Sequence, residues 1–139
     1  NQVVGSHHLH DVLPNTDLLV LALALTPETS GIIAENELAL LPSNAWVINV
    51  ARGRHIVTSD LVDALQSGSI GGAALDVTDP EPLPDGHALW SLDNCIITPH
   101  IGNTPEMGLP LLAERVTANV RRYIAGLPLL GPVDVTLGY

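Results

Sequence analysis

The stretch Leu18-Leu19-Val20-Leu21-Ala22-Leu23-Ala24-Leu25 places eight apolar residues in a row without one polar interruption. A strand with one wet face alternates apolar and polar side chains. An unbroken run of this length therefore reads as a parallel strand buried on both faces. It is entered from Pro14-Asn15-Thr16-Asp17 and left through Thr26-Pro27-Glu28-Thr29, both turn-like. The run is too short to cross a bilayer. A strand of this kind needs neighbours on either side and helices above and below, which commits the chain to a layered α/β domain.

The rest of the chain supplies matching parts. Residues 34–41 form a short helical stretch ended by Pro42-Ser43-Asn44, and residues 46–50 (Trp-Val-Ile-Asn-Val) a second buried strand. Thr58 or Ser59 caps a helix over residues 60–65, with Gly68 beyond its end. Residues 71–77 read as a third strand, opened by glycines and alanines that let a neighbour approach closely. Pro80, Pro82, Pro84 and Gly86 make residues 78–94 a long irregular loop, and such loops are usually functional. A fourth strand over residues 95–98 stops at Pro99. The last helix spans residues 104–125, with Thr104 as cap, Pro105 in the first turn, and Leu112, Val116, Val120 and Ile124 as a core stripe. The order β-α-β-α-β-loop-β-α, with short connections, predicts a parallel sheet built by right-handed crossovers. No G-x-G-x-x-G opens a helix, and no strand precedes His7, so the chain reads as the second half of a doubly wound domain.

Composition narrows the partners. In 139 residues, 15 Asp plus Glu face 5 Lys plus Arg, a formal charge of −10, and all the cations are arginines. Nucleic acid and anionic membranes need a basic face, so neither is expected as a partner. The 46% hydrophobic content suits a sizeable core. A single cysteine, Cys95, makes no internal disulfide and, opening an apolar strand, reads as a small core residue. A soluble, cytoplasmic setting follows. His7, His8 and His10 beside Asp11 are better read as a polar segment than as metal ligands, so no metal is expected.

Three polar clusters fall just past strand ends, where open α/β sheets hold their ligands. The first is Asn49-Val50-Ala51-Arg52-Gly53-Arg54; an arginine there can present a planar fork to a carboxylate. The second is Asp76-Val77-Thr78-Asp79-Pro80-Glu81-Pro82, in which two prolines stiffen the backbone around Glu81. The third, Thr98-Pro99-His100-Ile101-Gly102-Asn103, offers a histidine able to move a proton near neutral pH. Taken singly, each has a plainer reading: a surface arginine, a solvated loop charge, a structural histidine. Taken together, they form the kit of a dehydrogenase.

These motifs, with Gly72-Ala73-Ala74-Leu75-Asp76-Val77, Glu81-Pro82-Leu83, Leu89-Trp90 and Thr98-Pro99-His100-Ile101-Gly102, resemble the D-isomer-specific 2-hydroxyacid dehydrogenases. The segment Leu25-Thr26-Pro27-Glu28-Thr29 and the final helix with Asn119 and Gly126-Leu127-Pro128 are similar to the same family. The resemblance runs in order along nearly the whole chain from Leu13. It implies a partial Rossmann-like nucleotide-binding domain over residues 1–126, with residues 127–139 a stub returning toward a substrate domain. It further implies that Arg52 binds the substrate carboxylate, that His100 is the general acid/base, and that Glu81 fixes its orientation. Asp76 would meet the nicotinamide carboxamide, and Thr26, Ala51 and Gly102 would supply further cofactor contacts beside Arg52 and His100. The implied cofactor is NAD, with NADP also open; the implied substrate is a small 2-keto or 2-hydroxy acid; the implied assembly is a homodimer.

The pattern is not complete. Ala22 and Ala24 stand where the family usually has a histidine and a proline, and Thr78 where an aromatic residue is common. The glycine-rich phosphate loop would lie before Asn1, so the chain reads as a fragment that is inactive alone. Two rivals share the fold: a formate dehydrogenase, which pairs its histidine with glutamine where this chain has Glu81, and a non-catalytic, nucleotide-sensing corepressor or scaffold.

Overall fold

A computed structural model describes residues 3–136. The chain forms two compact units, Asn1–Pro99 and His100–Tyr139. In the first, strands β1 (Leu18–Leu21), β2 (Trp46–Asn49), β3 (Gly72–Leu75) and β4 (Cys95–Ile97) make one parallel sheet in chain order. Helices α1 (Leu9–Val12), α2 (Glu35–Leu40) and α3 (Thr58–Ser67) belong to the same unit, and α4 (Pro105–Ile124) belongs to the second. The alternation expected from the sequence is present, including a long loop between β3 and β4 whose only regular piece is a short 3-10 turn, Ala88–Ser91.

The core lies on one side of the sheet. Leu21, Val47, Ala73 and Leu75 face Leu38 of α2 and Leu61 and Leu65 of α3 in one buried cluster. On α3 the buried positions Leu61, Ala64 and Leu65 follow helical spacing, and Gly68 closes the helix with a positive φ. Fully burying one such leucine contributes about 1.5–3 kcal/mol. The helices are also tied end to end, since the Glu35 backbone N–H donates to the Asp60 carboxylate at 2.9 Å. Trp46 lays its indole on Gly72, where a Cβ would come within 2.6 Å of the ring, so glycine there lets the two strands pair.

Several expectations are corrected. β1 stops at Leu21 instead of running to Leu25, and among the described residues it pairs only with β2. Leu18 is 62% and Val20 54% exposed, so the strand is covered on one face and not on two. Beyond Leu21 the chain leaves the ladder because side chains take over its carbonyls: Thr29 Oγ1 donates to Ala24 O at 2.8 Å. Thr58 and Ser59 do not cap α3. Val57 holds the N-cap position, and the Thr58 hydroxyl donates instead to Asp79 O at 2.7 Å.

In the second unit Thr104 does occupy the N-cap of α4 but makes no side-chain cap bond. The Glu106 carboxyl is held below its ordinary range by its own backbone N–H and then by Thr104. Leu112, Val116, Val120 and Ile124 are 52–80% exposed, so the expected stripe forms no core within this unit. The residues after α4 fold back along it. Asn119 pairs both ways with the Leu130 backbone, accepting from its N–H at 2.7 Å and donating to its carbonyl at 3.1 Å. Arg122 Nε donates to Pro128 O.

Gly53, which follows β2, comes against the backbone that follows β3. A Cβ at Gly53 would lie 2.0 Å from Thr78 O and 2.6 Å from Asp79 N, so no side chain fits unless the two loops part. Gly53→Ala is expected to destabilise the protein by about 1–3 kcal/mol or more, read as a lowered denaturation midpoint. Cys95, half-buried at the start of β4, has its thiol pushed up to about 11 by burial. Little thiolate is then present near neutral pH, and alkylation by iodoacetamide should run at least roughly tenfold slower than for free cysteine.

Candidate active site

The register of the sheet builds the site. Leu21, Asn49, Leu75 and Ile97 stand in one row across the four strands, so all four chains leave the sheet at the same edge. Ligands of open α/β sheets bind outside this carboxyl edge. The loops that emerge there carry Thr26, Ala51, Arg52, Asp76 and Glu81.

Asn49 ends β2 and is fully buried. Its amide accepts from the Ala51 N–H at 3.0 Å and donates to Arg52 O at 2.9 Å, so one side chain folds the next three residues into a fixed turn. A buried amide of this kind must be satisfied, and here its partners are the backbone of the turn it shapes. Ala51 is buried, while the exposed Arg52 side chain donates from Nη1 to Ala51 O at 2.7 Å. The close approach at Gly53 then locks this turn to the Thr78–Asp79 backbone.

Thr26 is nearly buried at the turn after β1. Its N–H donates to Thr29 Oγ1 at 2.8 Å, its hydroxyl lies 3.3 Å from the same atom, and its carbonyl accepts from Ser30 N–H at 3.0 Å. Thr29 is thus the hub of the turn. The Thr26 hydroxyl, then the Glu28 backbone N–H, holds the Glu28 carboxyl below its ordinary range.

Asp76 continues the β3 ladder, its N–H donating to Asn49 O at 3.0 Å, and its Oδ1 accepts a hydrogen bond from the Thr98 hydroxyl. The carboxylate is therefore fixed from the neighbouring strand end as well as from its own. Glu81 is exposed, on a loop whose Asp79–Pro80 and Glu81–Pro82 peptide bonds are both cis. His100 and Gly102 open the second unit and are exposed. His100 has φ 55°, in the left-handed region that non-glycine residues rarely occupy and that often marks a functional position.

The first unit thus brings five of the seven expected residues to one edge. Sequence reasoning assigned no role to Asn49, Thr29, His55 or Thr98, which hold that edge together. Asn49 had a visible signal, a polar residue closing an otherwise apolar strand. Two of the three N-terminal histidines are paired with carboxylates: His8 Nδ1 with Asp11 at 2.7 Å, and His10 Nε2 with Glu37 at 2.6 Å. Among the described residues, no group of three or more His, Cys, Asp or Glu could hold a metal, and no helix is long and apolar enough to cross a membrane.

Comparison with known proteins gives these residues a context. Residues 1–102 match the family described as D-isomer specific 2-hydroxyacid dehydrogenase, NAD binding domain. A glyoxylate/hydroxypyruvate reductase A of Yersinia enterocolitica is 39% identical over 137 residues, which are 97% of this chain and 42% of that protein. Among solved structures, a D-isomer specific 2-hydroxyacid dehydrogenase of Xanthobacter autotrophicus Py2 with NADPH is 41% identical. It superposes with TM-score 0.85 over 96% of this chain and 54% of that one. An NADPH-dependent glyoxylate/hydroxypyruvate reductase of Sinorhizobium meliloti with NADP and sulfate is 34% identical. Its TM-score is 0.90 over all of this chain and 47% of that one. The chain therefore spans less than half the length of the curated relatives it matches. With a four-stranded parallel sheet, its loops gathered at one edge and residues 1–102 matched, the chain belongs to the D-isomer specific 2-hydroxyacid dehydrogenase family, in its NAD-binding domain.

Proposed function

We propose that the protein carrying this chain reduces a small 2-keto acid, of the glyoxylate or hydroxypyruvate class, to its D-2-hydroxy acid with NADPH or NADH. The observation that carries this reading is the locked edge: the Arg52 turn braced by Asn49, pressed through Gly53 onto the loop of Asp76 and Glu81. Carbonyl reduction needs an anion clamp and an oriented nicotinamide at fixed separation, and a rigid edge supplies fixed positions.

The donor set suits a nicotinamide. Asp76 offers an acceptor-only carboxylate, which matches the N–H groups of a carboxamide, and Val50 presents an exposed apolar side chain at the end of β2. Ala51, Thr26 and Gly102 are the further contacts we assign to the cofactor. The reduced nicotinamide, when bound, is the source of the hydride.

The remaining roles belong to the side chains. Arg52 holds the carboxylate of the keto acid with its planar guanidinium, which orients the carbonyl for attack. His100 gives a proton to the carbonyl oxygen as the carbonyl carbon takes up the hydride pair, so the product leaves as a neutral alcohol beside its carboxylate. Glu81 acts as the carboxylate partner of this acid/base, favouring its protonated form.

The test uses the full protein, NADPH and a panel of 2-keto acids, followed by cofactor absorbance. Arg52→Ala should lower kcat/KM by about 10- to 100-fold, chiefly through KM for the keto acid, since bonds to a charged group are worth about 1.5–3 kcal/mol. His100→Asn should lower kcat by roughly a hundred- to ten-thousandfold with little change in NADPH affinity. Absence of turnover with every acid in the panel would overturn the enzyme reading in favour of a nucleotide-sensing scaffold. Full activity in either variant would overturn that residue's role.

A further inference from the structure

The backbone ladder continues past the last residues of the strands. Val50 N–H donates to Leu21 O at 3.2 Å, Asp76 N–H to Asn49 O at 3.0 Å and Thr98 N–H to Leu75 O at 2.9 Å. Since Leu21, Asn49 and Leu75 stand in one row, Val50, Asp76 and Thr98 form the next row, at the carboxyl edge. Side chains of successive rows alternate between the two faces of a sheet. Leu21, Asn49 and Leu75 are buried on the core side. The row of Val50, Asp76 and Thr98 therefore belongs to the opposite face, where Val20 and Ile96 are more than half exposed and Val50 is half exposed.

Within this row the Thr98 hydroxyl donates to Asp76 Oδ1. Fixing the backbone of an aspartate does not by itself fix its oxygens, because the torsion that turns the carboxylate is broad and soft. A donor on the neighbouring strand end removes that freedom. Thr98 suits the task on two counts. Its own N–H is held by Leu75 O, and its branched Cβ stiffens the torsion that carries the hydroxyl. A hydroxyl has a single proton to give, and here Asp76 receives it. Order thus passes from the β4 backbone through Thr98 to the carboxylate of Asp76. That order matters to a ligand, since hydrogen bonds weaken steeply as donor and acceptor fall out of line.

We propose that Thr98 is a positioning residue for the nicotinamide: by holding Asp76 Oδ1 it aims the carboxylate at the carboxamide N–H groups. The site can then tell a carboxamide from a ring substituent of the same shape that has no N–H. That Asp76 meets a carboxamide rests on the function proposed above. The Arg52 turn has its own brace in Asn49. Loss of the Thr98 hydroxyl therefore acts on the cofactor side of the site and spares the side that holds the keto acid.

The test compares Thr98→Val, which keeps the shape and the backbone N–H but not the hydroxyl, with Thr98→Ser, which keeps the hydroxyl. Dissociation constants of the full protein are measured for NADP+ or NAD+, whichever the parent binds more tightly. They are measured again for the 3-acetylpyridine analogue of that cofactor, in which a methyl group replaces the amide nitrogen. The parent should prefer the natural cofactor by about three- to tenfold or more, the share of a hydrogen bond to a charged acceptor. Thr98→Val should cut that preference at least about threefold by weakening the natural cofactor alone, and Thr98→Ser should keep it within about twofold. KM for the keto acid should stay within about twofold in both variants, and in an Asp76→Ala background Thr98→Val should change nothing further. A parent-like preference in Thr98→Val, or equal weakening of both cofactors, overturns the positioning role while the proposed function stands. So does a loss that persists in the Asp76→Ala background, or a parent that binds both cofactors equally. A parent that binds neither cofactor overturns the proposed function, and this inference with it.

Discussion

Everything at the candidate site hangs on the parallel ladder being in register at its carboxyl ends. Leu21, Asn49, Leu75 and Ile97 form one row, so four loops start from nearly the same line. In a parallel sheet each strand must be re-entered from the far edge, which forces every crossover to begin on one side and return on the other. The polar residues are thereby collected at one edge by backbone hydrogen bonding alone. Slipping any strand by one residue would invert its faces and carry its loop out of line.

Register gathers the loops, but it does not hold their shape. That is done by a few close contacts with little tolerance. Asn49 closes the Arg52 turn, Thr29 closes the Thr26 turn, and Thr98 steadies Asp76 from the next strand. Gly53 presses one loop on the next at a distance that admits no Cβ. Asn49 is a polar group at a fully buried place where an apolar side chain would pack, so the site is organised at some cost in hydrophobic burial.

Much of this was legible in the residues. The order of strands and helices, the long loop after β3, the glycine beyond α3 and the placement of the arginine and aspartate past strand ends all follow from run lengths, turn residues and periodicity. What was misread has physical reasons. Residues 22–25 are as apolar as residues 18–21, but the Leu23 and Ala24 carbonyls bond to side chains of His55 and Thr29, so the chain bends away from the ladder. Thr58 has the chemistry of a cap, yet a carbonyl brought close by the Gly53 contact takes its hydroxyl. The spacing of Leu112, Val116, Val120 and Ile124 describes an apolar face, and spacing cannot say what covers it.

The sequence by itself determined the class of fold, the family and the residue types available for chemistry, because hydrophobic periodicity and short motifs are local properties written along the chain. Only the tertiary structure decided which polar side chains serve as braces. Asn49, Thr29, His55 and Thr98 reach their roles through partners that are set by turn geometry and by neighbouring strands, some of them distant in sequence. His55 shows the difference most clearly. In the sequence it is one histidine close to two arginines; in the fold its ring nitrogens lie 3.0 and 3.1 Å from two carbonyl oxygens of another loop.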